Sequence, residues 1–185
     1  PKAPPMPPRD SALEGAVRAP EFLANLKWIN TAASRPLSSL RGKIVLLDFW
    51  SYCCINCLHI LPDLAALEAR YADELVVIGV HSGKFQTERG TNSIRNAVMR
   101  YGIAHAVVND AEFAVWDSYA IRSWPTVVLI NPNGRIIAQH AGEGVERRLD
   151  TLIRRTIAYF DAKGELARGR TAPALEAARM PSAAL

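Results

Sequence analysis

Ile44-Val45-Leu46-Leu47-Asp48-Phe49-Trp50-Ser51-Tyr52-Cys53-Cys54-Ile55-Asn56-Cys57 is the stretch that decides the fold. Its first seven residues are apolar except for Asp48, as a strand buried on both faces requires. After it, Ile55 to Tyr71 predicts a helix. Leu58, Leu61, Leu64, Ala65 and Glu68 follow helical spacing, and Leu67 widens the apolar stripe. Pro62 falls inside this helix and is expected to kink it. The cysteines therefore stand where a buried strand gives way to a helix N-terminus.

Outward from this junction, strands and helices alternate. Phe22 to Asn30 reads as an opening strand and Leu37 to Leu40 as a short helical turn broken at Gly42. Leu75 to Val80 is a second buried strand, Asn92 to Tyr101 a helix, Ala106 to Val108 a short strand and Glu112 to Tyr119 another helix. Thr126 to Ile130 and Arg135 to His140 form a hairpin across Asn131-Pro132-Asn133-Gly134, whose Asn-Gly pair suits the positive φ of a tight turn. Val145 to Phe160 is the clearest helix, with Val145, Leu149, Leu152, Ile153, Thr156, Ile157 and Phe160 on one stripe. The βαβ units demand parallel strands and the hairpin an antiparallel pair. The expected class is α/β, a central mixed β-sheet flanked by helices on both faces.

The 185 residues suit one domain with tails. Residues 1–18 are proline-rich and read as a flexible arm, 19–160 as the folded domain, and 161–185 as an extension or linker, with a short helix at Ala174 to Arg179. No apolar run is long enough to cross a bilayer. The first residues lack the apolar core of a secretory signal, which makes the cytoplasm the expected compartment. The net charge of +4 is mild. Glu146 and Asp150 dilute Arg147, Arg148, Arg154 and Arg155, so this group reads as a solvated helix face, with no nucleic-acid or membrane partner expected.

Three cysteines, two of them adjacent, do not make a disulfide framework; they read as a site. Adjacent Cα atoms lie about 3.8 Å apart. A relaxed disulfide spans roughly 4.4–6.8 Å, and residues i and i+3 of a helical turn, about 5 Å apart, fall inside that window. Cys54 and Cys57 are the natural pair. Free N–H groups and the helix dipole favour an anion at Cys54. This makes Cys54 the expected nucleophile and Cys57 the resolving thiol. Asp48, six residues earlier, is expected to be buried, to titrate high and to take the proton of Cys57; the alternative is a carboxylate capping a loop. Trp124-Pro125-Thr126 opens a strand, where an X-Pro bond is often cis; the alternative is an ordinary trans proline.

Asp48-Phe49-Trp50, Cys54-x-x-Cys57, Pro62 and Trp124-Pro125-Thr126 together resemble the thioredoxin fold. Ala19-Pro20-Glu21-Phe22, the added N-terminal strand and the excursion from His81 to Asn92 resemble its TlpA-like branch. The segments Asp48 to His59 and Ile78 to Phe85 are similar to the thioredoxin-like domain of the NHL-repeat-containing protein 2 family and its bacterial relatives. The resemblance covers residues 19 to 160. It implies a redox pair at Cys54 and Cys57, a buried acid at Asp48 and a cis Pro125 facing the pair. It also implies protein or small-molecule disulfide and dithiol substrates, and a C-terminal NHL β-propeller in the full-length chain.

Two residues read as accessory. Cys53, where thioredoxins usually carry Trp, is a small apolar filler, a second redox thiol or a regulatory one. Trp124 either shields the pair or supplies an aromatic platform. His59 reads as solvated or packed. His81 and Lys84 lie beyond a central strand, where ligands bind in α/β sheets. Glu143, between Gly142 and Gly144, follows a strand end. The expected function is a thiol–disulfide oxidoreductase without a cofactor. The alternative is a redox-quiet interaction module joined to a propeller. Zinc ligation by Cys53, Cys54, Cys57 and His59 is disfavoured, because adjacent cysteines make joint ligation awkward.

Overall fold

A computed structural model describes residues 7–169. Seven strands form one mixed sheet in the order β1-β7-β6-β3-β4-β5-β2. They are β1 (Val17–Arg18), β2 (Lys27–Ile29), β3 (Ile44–Trp50), β4 (Leu75–His81), β5 (Ala106–Asn109), β6 (Thr126–Ile130) and β7 (Arg135–Ala141). The helices are α1 (Ser11–Glu14), α2 (Ile55–Arg70), α3 (Thr91–Arg100), α4 (Ala114–Ser118) and α5 (Glu146–Ala162). β3 lies at the centre, parallel to β4 and antiparallel to β6. β5 runs parallel to β4, and β7 antiparallel to β6.

Every side chain of β3 is buried, and alternation sends them to two cores. Leu47 and Phe49 join Ile78, Val80, Val128, Trp116 and Tyr119 beneath α4. Ile44 and Leu46 meet Ile60, Leu64 and Leu67 of α2 and Leu149 and Ile153 of α5. Trp50, on that same face, packs with Cys57, Val107 and Ile94 of α3. Helices thus cover both faces, as the strand pattern requires.

The buried residues of α2 are Cys57, Ile60, Leu64 and Leu67. Leu64 and Leu67 are buried as expected, whereas Cys57 and Ile60 take the place of Leu58, Leu61, Ala65 and Glu68, so the buried line is rotated toward the edge of the expected stripe. Burial of Cys57 against the sheet sets this rotation. The displaced line instead borders a groove of about 280 Å³, shared with Tyr101, Gly102, Ile103, Ala104 and His105.

Three parts differ from expectation. The opening strand at Phe22 to Asn30 is only β2, paired with β5 at one sheet edge, while β1 adds a strand at the other edge, on β7. The arm over 1–18 is part of the fold from Asp10 onward. The Asp10 side chain accepts from the N–H groups of Ala12 and Leu13, and Leu13 is buried against Tyr159 and Phe160. The extension over 161–185 begins with a docked segment. The Ala167 N–H donates to Gly42 O at 2.8 Å, and the Lys43 ammonium donates to the carbonyls of Asp73, Ala167 and Gly169. These contacts join residues far apart in sequence, so no local pattern announces them. The helix expected at Ala174 to Arg179 lies outside the described residues. In the hairpin turn only Gly134 takes a positive φ, 73°, and a Cβ there would collide with the Arg41 guanidinium.

Candidate active site

β3 ends at Trp50, and Ser51-Tyr52-Cys53 turns the chain into α2. The Cys54 N–H donates to Ser51 O at 3.0 Å, and Cys54 O accepts from Cys57 N–H at 3.0 Å and Leu58 N–H at 3.2 Å. Cys54 is thereby the N-cap of α2 and Cys57 lies one turn in. Both are free thiols, 4% and 0% exposed, in contact within one buried cluster. Burial, that contact and the charge of Asp48 push the Cys57 thiol far above its ordinary range.

Asp48 is wholly buried. It points to the face that carries Leu46, Trp50 and α2, and neither carboxyl oxygen has a hydrogen-bond partner among the described residues. Burial pushes its pKa up to about 7, against an opposing pull from His105. Trp124–Pro125 is a cis bond. Thr126 pairs with Phe49, so Trp124 and Pro125 stand level with the strand end from which the cysteine turn springs. Trp124, half-buried, packs against the cluster that holds both cysteines. Its Nε1 donates to Ser82 O at 2.8 Å, and the Lys84 ammonium lies 5.2 Å over its ring.

Cys53 does not fill the core. It is exposed, although its two neighbours in the chain are not. Its thiol is pushed up by desolvation and then by the Glu88 carboxylate. His59 and Glu143 pair with each other on the surface, 3.3 Å apart. Among the described residues no group of three His, Cys, Asp or Glu side chains could hold a metal ion.

Several supporting residues were read differently or missed in the sequence. His81, expected in a loop, is the buried last residue of β4. Its Nε2 accepts from the Tyr52 N–H at 3.2 Å, its ring stacks on Tyr52, and burial pulls its pKa down to about 4. Glu88 is wholly buried, accepting from Ser51 Oγ at 2.5 Å and from Phe85 N–H at 3.0 Å. Together they brace the turn that presents Cys54. Nothing local marks Glu88, which sits in an otherwise polar loop. His105 and Glu68 lie 3.4 Å apart beside the groove along α2. Gly79, inside a strand, was the one available sign of a close approach there.

This arrangement, a buried dithiol on a helix N-terminus beside a buried acid and a cis proline, accords with the relatives of the chain. A family model described as Thioredoxin-like matches residues 42–136, more than half of the sequence, and the chain belongs to that family. It is 49% identical over 152 residues to SUPPRESSOR OF QUENCHING 1, chloroplastic, of Arabidopsis thaliana, covering 82% of this chain and 14% of that protein. It is 42% identical over 158 residues to NHL repeat-containing protein 2 of Homo sapiens, covering 83% and 22%. Thiol-disulfide oxidoreductase ResA of Halalkalibacterium halodurans is 32% identical over 115 residues, 62% of each chain. The fold matches the crystal structure of the thioredoxin-like superfamily protein SPOA0173 with a TM-score of 0.69, at 24% identity, over 77% of this chain and 97% of that one. The chain thus spans less than a quarter of the first two relatives, and it is homologous to thiol–disulfide oxidoreductases.

Proposed function

We propose that this domain is a thiol–disulfide oxidoreductase working through Cys54 and Cys57. The Cys54 thiolate attacks one sulfur of a substrate disulfide; the other sulfur leaves as a thiolate and takes a proton. Cys57 then gives its proton to Asp48 and attacks the mixed disulfide, releasing the second substrate thiol. The substrate gains two electrons, and the protein keeps a Cys54–Cys57 disulfide. Contact between the two free thiols at the α2 N-terminus, with Asp48 behind the buried one, is the observation that carries this reading. Homology to an oxidoreductase supports it. Pro125 and Trp124 would present the substrate backbone and side chains to Cys54. The test is dithiothreitol-driven insulin reduction. Cys54→Ser and Cys57→Ser should each abolish it and Cys53→Ser should leave most of it; equal losses from all three would refute the assignment.

The second reading is a redox-quiet interaction module beside an NHL-type propeller. One observation bears on how a propeller would be joined: Gly169 O is held by Lys43, next to the first residue of β3, whereas the cysteines follow its last. A domain continuing from residue 169 would start about 20 Å from the thiols. That geometry is equally open to an oxidoreductase carrying a propeller, so the cysteine chemistry separates the two.

A further inference from the structure

Four buried polar atoms without a hydrogen-bond partner among the described residues converge near Gly79: both Asp48 oxygens, Trp50 Nε1 and His105 Nε2. Asp48 pairs with Gly79 across β3 and β4, and Gly79 with Val107 across β4 and β5. A Cβ on Gly79 would stand 3.0 Å from Trp50 Nε1 and 3.5 Å from His105 Nε2. Val107 Cγ2 would stand 3.1 Å away as well, so the glycine lets the Trp50 and His105 rings pack closely over this strand on the α2 face of the sheet, beside Asp48. Buried polar atoms are rarely left unsatisfied, and a site with several such partners is where proteins hold water.

The other side of the His105 ring leads out. Nδ1 lies 3.4 Å from Glu68 Oε2. The Glu68 side chain is 31% exposed and borders the groove formed with Leu58, Leu61 and Ala65. Glu68 stands eleven residues beyond Cys57 on α2, about 16 Å along the helix. The groove runs along α2 from Leu58, and Glu68 stands at its end away from Cys54, where a substrate on that cysteine would leave it open. A proton released while the mixed disulfide is in place needs such a second way out.

We propose that His105 and Glu68 form the route by which the proton of Cys57 passes from Asp48 to solvent, through a water held among the unsatisfied Asp48, Trp50 and His105 atoms. The inference rests on the oxidoreductase reading above. The S–H bond of Cys57 breaks and Asp48 takes the proton. Asp48 passes it through the water to His105 Nε2, His105 gives its Nδ1 proton to Glu68, and Glu68 releases it to water in the groove. No electrons move on this path. The groups facing Asp48 are Cys57 from α2 and His105 from just before β5, with Glu68 behind it; β6 offers only Val127 opposite. His105 and Glu68 are positioning residues, acting through Asp48.

The test uses the full 185-residue chain with Cys54 loaded as a mixed disulfide with thionitrobenzoate, and follows release of the coloured thiol by Cys57 in stopped flow. His105→Gln should slow release by at least about tenfold, within the range of a lost proton-transfer group. Added imidazole, small enough for the groove, should restore it. Glu68→Gln, on a partly exposed helix position, should show a smaller loss with the same rescue, and serves if His105→Gln does not fold. Release at the parental rate in the folded His105 variant, or a loss that imidazole leaves untouched, overturns the route. Asp48→Asn separates the two ideas. If that variant is slow while the His105 and Glu68 variants are normal, only the route fails. If it releases at the parental rate, Asp48 is not the proton acceptor and the underlying reading fails with it.

Discussion

Asp48 on β3 and Cys57 on α2 stand on opposite sides of one strand–helix interface, both 0% exposed, and burial, with the charge of the first adding to it, holds the proton on the second. A buried acid in that place costs stability once it ionises. Its folded pKa of about 7 lies above the ordinary 3.8. The stability tied to its proton is therefore complete below about pH 4 and lost as pH rises through 7, about 4 kcal/mol in all. Asp48→Asn should stabilise the reduced protein against urea at pH 8 by an amount of that order, and change it little at pH 4. An equal change at both pH values would mean that Asp48 does not titrate as its burial implies.

His81 carries the opposite sign. Its folded pKa of about 4 lies below the ordinary 6.5, so the stability tied to its neutral form is present above 6.5 and lost as pH falls toward 4. The two groups oppose each other across the same window. His81→Gln should make the protein gain stability, relative to the parent, between pH 7 and pH 4, and Asp48→Asn should make it lose more. Denaturation midpoints of the three proteins across that range check both slopes.

The Trp124 ring lies 4.3 Å from that of Trp116, tilted by 38°, and packs on the cluster around the cysteines. Trp124→Ala should cost about 2 kcal/mol, below the range for wholly buried aromatic residues because Trp124 is half-buried. It should also quicken alkylation of reduced Cys54, which is 4% exposed with Trp124 in place. Thermal unfolding and iodoacetamide labelling rates measure the two effects, and an unchanged labelling rate would remove Trp124 from any shielding role.

The central part of this molecule was legible because it is local. β3 and β6 fall on their expected bounds, and α2 within a residue of its own, since each is a continuous apolar or helical pattern closed by turn residues. Asp48 was readable as a buried acid because it alone breaks an apolar strand. The exposure of Cys53 was not readable, for it follows from the N-cap placement of Cys54 in a three-residue turn. The braces behind the site were hidden as well. Glu88 and His81 meet Ser51 and Tyr52 only through tertiary folding, and Glu68, expected on the apolar stripe of α2, meets His105 at the edge of that stripe. The docking of Leu13 on Tyr159 and Phe160 joins the two ends of the chain, which no window of sequence contains.

The proposed chemistry stands or falls on whether Cys54 and Cys57 exchange electrons as a pair. Equilibration of the full chain across dithiothreitol and glutathione redox buffers, followed by alkylation and mass spectrometry, reads this directly. A single two-electron transition should appear, with Cys54 and Cys57 losing their labels together while Cys53 stays labelled. A chain that keeps all three thiols labelled in every buffer would rule out the oxidoreductase and leave the interaction module.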